Sequence, residues 1–347
     1  MNRILCLIAL VLSFSQIQGQ ENGNGQNSFQ ILQVVGPARV AALGGNNIAV
    51  KDGDLNLGMI TPSLLDSSSD RQIALGFSRL FGEATIGHAA YAHNIKEFGM
   101  VSFSINSLTY GEFDLTDETG QVQGSFNAGE YLFQAGLARQ LTQRISLGAN
   151  VKFFFSELAE YKSNGVAVDL SSTYYKPEKG FTATLMMRNI GSTLKEYRSG
   201  VDQSIPFEIQ AGFTKKLLKA PLRFGIMLEN LQKWDLSTEG EQQTEIDPIT
   251  GEEVQTSNNG FGENLFRHVV VNAEIIITKN FHLRVGYNYN RRQQLLVENR
   301  PGGAGLTYGL GLRISKFHLS YGRATYSLAG ASNHFTLSVK FDDFKKS

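Results

Sequence analysis

The stretch ISLGANVKFFFS, residues 145–156, decides the fold. Ile145, Leu147, Ala149, Val151, Phe153 and Phe155 alternate with Ser146, Gly148, Asn150 and Lys152. Successive side chains of a β-strand point to opposite faces, so this strand has one apolar side and one polar side. The same period sets Leu222, Phe224, Ile226 and Leu228 against Arg223, Gly225 and Glu229. It sets Phe281, Leu283, Val285, Tyr287 and Tyr289 against His282, Arg284, Asn288 and Asn290, and near the end Phe335, Leu337, Val339 and Phe341 against Thr336, Ser338 and Lys340.

Fourteen stretches of this kind run from residue 71 onward: 71–80, 83–94, 97–108, 128–140, 144–156, 161–176, 180–190, 206–217, 220–231, 265–278, 280–291, 304–315, 317–327 and 333–342. Connections after the even-numbered stretches are a few residues at most. Those after the odd-numbered ones, from the third on, are longer and reach 33 residues at 232–264. Tight turns at one end and long loops at the other are the pattern of an outer-membrane barrel. A soluble β-sandwich also alternates, with its apolar faces buried between two sheets. Three features favour the membrane. The stretches are longer than the ~5–6 residues usual in soluble sheets. Their polar faces carry Arg, Lys, Glu and His near mid-strand. A Greek-key sandwich has no reason for the loop parity. The expectation is an all-β, fourteen-stranded antiparallel transmembrane β-barrel over residues 71–347. With an even number of strands both chain ends fall on the short-turn side, which in such barrels is periplasmic. The loops 109–127, 191–205, 232–264 and 292–303 then face outward.

Composition agrees. The 347 residues carry 32 basic and 32 acidic side chains, so no basic surplus points to nucleic acid. Phe and Tyr number 23 and 12 against only 7 prolines, which suits strands. Residues 1–20 read as a secretory signal, with Arg3 before the apolar run 4–14 and Gly19 near the cut. Cys6, the only cysteine, lies inside it, so the mature chain is expected to have no disulfide, thiol catalysis or cysteine metal site. No later run of ~18 apolar residues reads as a transmembrane helix. Residues 21–28 are polar and read as a flexible N-terminus. Residues 29–70 lack alternation, mix small residues with a polar turn at 51–54, and read as a plug or hatch segment inside or under the barrel.

The search for chemistry is mostly negative. G-x-S-x-G, H-E-x-x-H and P-loop patterns are absent. Six histidines are scattered over several strands, without metal-ligand spacing. The acidic loop 232–264 has no EF-hand spacing and reads as a solvated loop. The reading is therefore a non-enzyme with no cofactor. The polar residues Lys152, Asp169, Arg223, Glu229, Arg284 and Arg313 are expected to face the lumen. Trp234, Asp235, Phe113 and Tyr197 in or beside the outward loops are candidates for partner contact, with Trp234 also suited to the interfacial aromatic belt.

Sequence motifs add a resemblance. GPARVAALGGNNIAVKDGDLNL (36–57), MRNIG (187–191), PFEIQAGFTKKL (206–217), NLQKWD (230–235), VGYNYNRR (285–292) and GLTYGLGLRI (305–314) resemble, in order, the PorQ family, more distantly related to PorV and to FadL-type fatty-acid transporters. One departure is Thr61 before Pro62, where relatives have Asn. The resemblance implies a FadL-like fourteen-stranded barrel of the type IX protein secretion system. It implies a place in the cell-surface attachment complex with a PorU-like sortase, a PorV-like shuttle barrel and a PorZ-like surface protein held at the membrane. It implies no catalytic residue. The leading expectation is an anchoring barrel in the outer membrane of a Gram-negative bacterium. The alternative is a FadL-like transporter or pore for a hydrophobic or small ligand, with residues 29–70 as its hatch.

Overall fold

The computed structural model describes residues 29–117, 119–198, 203–237, 242–246, 253–257, 260–295, 303–327 and 330–344. The signal (1–20) and the stretch 21–28 lie outside them, as do parts of 232–264 and 292–303. The strands are β1 Gln72–Arg79, β2 Thr85–Ile95, β3 Gly99–Thr116, β4 Val122–Gln140, β5 Ile145–Leu158, β6 Tyr161–Lys176, β7 Phe181–Lys195, β8 Glu208–Lys216, β9 Leu222–Leu228, β10 Gln242–Ile246, β11 Glu253–Ser257, β12 Val269–Ile276, β13 Phe281–Asn288, β14 Leu306–Ile314, β15 Phe317–Ser327 and β16 Gly330–Lys340. Short helices are α1 Ala38–Ala42, α2 Leu55–Ile60, α3 Phe261–Arg267 and α4 Tyr289–Gln294.

Among the described residues fourteen strands form one closed antiparallel barrel, and β10 and β11 pair separately as a hairpin within the longest connection. β16 closes on β1, in register from Gln72↔Lys340 to Arg79↔Asn333. Closure matters because hydrocarbon offers no partner to an unpaired strand edge.

The two faces of β5 separate a membrane barrel from a sandwich. Val151 and Phe153 are 59% and 43% exposed, whereas Asn150 and Lys152 are 0% and 3% exposed. Apolar groups face out and polar groups face in, the inverse of a water-soluble sheet. Exposed Leu75, Phe77, Phe103, Ile105, Phe224, Ile226, Val285 and Phe335 continue that apolar surface around the wall, as expected of a barrel whose solvent is lipid. Among the described residues no helix is long and apolar enough to cross a membrane.

Short turns at 96–98, 141–144, 177–180, 217–221, 277–280 and 315–316 lie at one end. The longer connections 196–207, 229–268 and 289–305 lie at the other. Two expectations change. Residues 109–127 are mostly not loop: β3 and β4 extend through them as a hairpin with Phe113↔Phe126, after a bulge between Thr109 and Gly111. The eleventh strand ends at Asn288, because the Asn288 side chain caps α4 by accepting from the Arg291 amide at 2.9 Å, so Tyr289 and Asn290 are helical. The expected placement of the two chain ends falls on residues 1–28 and 345–347, outside the described residues. Phe29 packs on Phe154 and beside Tyr197 near the long-loop end, and residues 29–70 then run through the lumen to β1.

Candidate functional site

Residues 29–70 lie against the inner face of the wall, and together the two form the candidate site. This segment resists alternation because it is three turns of 3-10 helix and two short α-helices. The polar inner wall binds it through its backbone. Ala38 N donates to Thr336 Oγ1 at 3.0 Å, Gly44 N to Thr307 Oγ1 at 2.8 Å, Leu55 N to Gln72 Oε1 at 3.0 Å and Ser63 N to Ser171 Oγ at 3.0 Å. Lys51 Nζ donates to Ser63 O at 2.8 Å and Ser146 Oγ at 3.0 Å. Close approach is allowed by glycine. A Cβ on Gly286 would strike the backbone of Leu43 and Gly44, and one on Gly148 would strike Pro62 and Ser63.

At the centre three guanidiniums meet three carboxylates. Arg39 contacts Asp52 at 2.8 Å, Asp54 at 2.9 Å and Glu274 at 3.0 Å. Arg223 contacts Asp52 at 2.9 Å and Glu274 at 2.5 Å, and Arg284 contacts Glu274 at 2.9 Å. Arg39, Asp52 and Asp54 belong to the segment, whereas Arg223, Glu274 and Arg284 belong to the wall. Such pairs hold a register more than they add stability, because each charge has already lost its water. Burial alone would lower the Arg39 guanidinium and raise the Asp52 carboxyl. Their partners outweigh it, holding Arg39 well above and Asp52 well below the ordinary range. Lys51 shifts down, because burial outweighs the attraction of Asp66.

A second cluster stands on the wall. Lys152 Nζ contacts Asp169 at 2.7 Å and donates to Asn189 Oδ1 at 2.9 Å, while the Asn189 amide donates to Asp169 at 2.9 Å. The long-loop mouth is different. There the inward-facing residues Leu80, Ile86, Leu108, Leu132, Phe154 and Ala167 enclose Phe29, Ile31 and Leu32. Beside them Glu130 accepts from the Ile31 amide at 2.8 Å and from Tyr110 OH at 2.7 Å.

The structure places the sequence candidates as follows. Lys152, Asp169, Arg223 and Arg284 all face the lumen and are paired there. Glu229 lies just past β9 and accepts from Asn288 at 3.1 Å. Arg313 sits at the short-turn rim, exposed, 3.2 Å from Asp343. Phe113 stacks on Phe126 in the projecting hairpin. Tyr197 turns inward, its hydroxyl on Ser156 and its ring beside Phe29, so the mouth engages it. Trp234 is 49% exposed and packs on Phe261 and His268, and Asp235 caps its own turn by accepting from the Ser237 amide. Arg39, Asp52, Asp54 and Glu274 escaped the sequence reading. Two local marks were an acid in the mostly apolar run VVVNAEII (269–276) and the polar turn 51–54 that holds Asp52 and Asp54.

Among the described residues no group of three or more His, Cys, Asp or Glu has metal-holding geometry. Ser332 Oγ lies 2.8 Å from His334 Nε2, but both are buried against the segment and out of reach of a substrate.

Comparison with solved structures finds the same architecture. The Pseudomonas putida toluene transporter TodX is 12% identical, with a TM-score of 0.51 over 89% of this chain and 98% of its own. The Ralstonia pickettii toluene transporter TbuX is 10% identical, with a TM-score of 0.50 over 89% and 97%. The fold is similar to theirs. A Pseudomonas aeruginosa FadL homologue, 9% identical, aligns with a TM-score of 0.46 over 88% and 98%. No protein-family model and no curated protein matches the chain.

Proposed function

We propose that the chain is an integral outer-membrane barrel, long loops outward, that admits a small hydrophobic ligand at its long-loop mouth when residues 29–70 shift as a hatch. The observation that carries this reading is the apolar pocket at that mouth. Leu80, Ile86, Leu108, Leu132 and Phe154 turn inward together there and pack around the chain's own Phe29, Ile31 and Leu32, while smaller apolar clusters about Leu55 and Met59 and about Ile48 and Ala49 lie deeper. An apolar patch with a few convergent polar groups is the usual form of a small-molecule site, and Glu130 with Tyr110 supplies those groups. TodX and TbuX, both toluene transporters, share the fold, which supports the reading. The test is uptake of an aromatic hydrocarbon into proteoliposomes. The intact chain should pass it slowly and Phe29→Ala faster. No uptake or binding by either protein would overturn the reading.

The second reading is the attachment-complex anchor that the PorQ resemblance implies. It is favoured by the exposed aromatic group of Trp234, Phe261 and Phe266 beside the long loops. Its partners would be a PorZ-like surface protein, with PorU-like and PorV-like companions. Crosslinking from position 234 in intact cells tests it. A captured surface protein supports the anchor, and recovery of the chain alone counts against it.

A further inference from the structure

The outer wall carries a feature that neither reading uses. Strands β14, β15, β16 and β1 are neighbours, and their outward residues form aligned rows. One row is Leu312, Leu319, Leu337 and Leu75, and the next is Leu310, Tyr321, Phe335 and Phe77. These rows enclose a shallow groove of about 490 Å³ on the membrane face. Directly beyond, toward the long-loop end, the row becomes Tyr308, Arg323, Asn333 and Arg79.

This last row is out of character for a surface that faces lipid. Arg79 and Arg323 flank Asn333 on alternate strands, about 10 Å apart along the sheet. Asn333 Oδ1 accepts from Arg323 Nη1 at 2.9 Å and from Tyr321 OH at 2.8 Å, which fixes one guanidinium over the head of the groove. Neither arginine faces a carboxylate across the ladder, where the residues opposite are Thr85, Asn333 and Tyr308. Elsewhere the inner wall pairs its arginines with acids, as Glu274 does for Arg223 and Arg284. Two outward cations at the end of an apolar groove match a molecule with a phosphate at one end and hydrocarbon at the other. Arginine's planar fork suits phosphate oxygens, and basic clusters at membrane depth bind lipid headgroups.

We propose that this face of β14, β15, β16 and β1 is a binding site for an anionic, phosphate-bearing membrane lipid of the leaflet at the long-loop end. Arg79 and Arg323 hold the phosphate, and the acyl chains lie along the leucine and aromatic rows. The groove continues the lipid-facing band, which argues for a lipid over a soluble anion. The charge of the row argues for an anionic lipid over annular lipid at large. The site is independent of what the lumen carries.

Purified full-length chain in detergent, exposed to defined lipids and read by native mass spectrometry, tests the assignment. Phosphatidic acid and lipid A should stay bound, and phosphatidylcholine and diacylglycerol should not. The Arg79→Gln/Arg323→Gln double variant, judged folded by heat-modifiable gel mobility, should bind phosphatidic acid about tenfold more weakly or worse. Arg144→Gln at the short-turn end serves as the control and should bind as the parent does. Equal retention of phosphatidic acid and diacylglycerol by the parent chain overturns the proposal even without the variant. So does unchanged affinity in the folded double variant. Displacement of bound lipid by an equal concentration of inorganic phosphate would mean a free-anion site and also overturns it.

Discussion

Replacing Glu274 by Gln should unlatch the N-terminal segment. Among the described residues Glu274 is the only carboxylate that the wall contributes to the central cluster, and it touches Arg39, Arg223 and Arg284. Gln keeps the shape and removes one charge, so three guanidiniums face two carboxylates. Breaking a buried pair by removing one partner costs ~3–5 kcal/mol. The lower end applies here, because Asp52 and Asp54 still hold Arg39 and Asp52 still holds Arg223. Arg284 fares worst, keeping Ser320 Oγ at 3.1 Å and the Leu310 carbonyl at 3.4 Å. A cost of ~3 kcal/mol is about two decades in the opening equilibrium. Arg39 itself supplies the assay. It is a trypsin site buried in the lumen, so cleavage after it requires the segment to move out. When reclosing outpaces cleavage, the rate follows the open population. Glu274→Gln should therefore be cut after Arg39 on the order of 100-fold faster, with the barrel still migrating as folded. A rate within about threefold of the parent would refute the latch and leave the cluster as passive filling.

Other outcomes follow from the same geometry. Val151→Arg puts a charge on the lipid face mid-strand and should cost ~2–4 kcal/mol in urea titrations of the refolded barrel in vesicles, against little for Lys162→Gln. Gly286→Val should push residues 43–45 off the wall at a cost of ~1–3 kcal/mol and speed trypsin cleavage at Arg39, with the folded gel mobility retained. The Asp52 carboxyl is held below its ordinary value by Arg39 and Arg223, so its contribution is fully present above pH 3.8 and lost as pH falls through its lower folded value. Planar-bilayer conductance should stay low from neutral pH down to about 4 and rise only below it.

Strand positions were legible because an environment with lipid on one side and a packed polar lumen on the other writes a period of two into the chain. β5 shows both faces within ISLGANVKFFFS. Legibility failed where that environment ends. Beyond the membrane β3 and β4 are wet on both sides, and the bulge at Thr109 and Gly111 shifts the phase of their pairing, so 109–127 read as loop. Tyr289 kept the alternation of β13 by coincidence while Asn288 was already capping a helix. The occupied lumen was half legible. The want of periodicity in 29–70 and its small residues indicated close packing, and Lys152 with Asp169 and Arg223 with Arg284 stand on the inner face in two separate clusters. Their counter-charges were not readable. Arg39 and Glu274 are 235 positions apart, and no local pattern joins them. Tyr197 looked like a loop aromatic free for a partner, and only the fold brings Phe29 to it from far upstream.

The central claim is a closed wall with lipid outside and a packed, polar lumen inside. Nitroxide labels placed one at a time at positions 149–154 of β5, in a chain freed of Cys6, test it most directly by spin-label accessibility in vesicles. The account predicts a strict period of two: labels at 149, 151 and 153 relax with oxygen as lipid-exposed sites do, while those at 150, 152 and 154 are immobile and reached by neither oxygen nor a water-soluble nickel reagent. Odd positions that answer to the nickel reagent instead of oxygen would show those apolar residues facing water, and would contradict it.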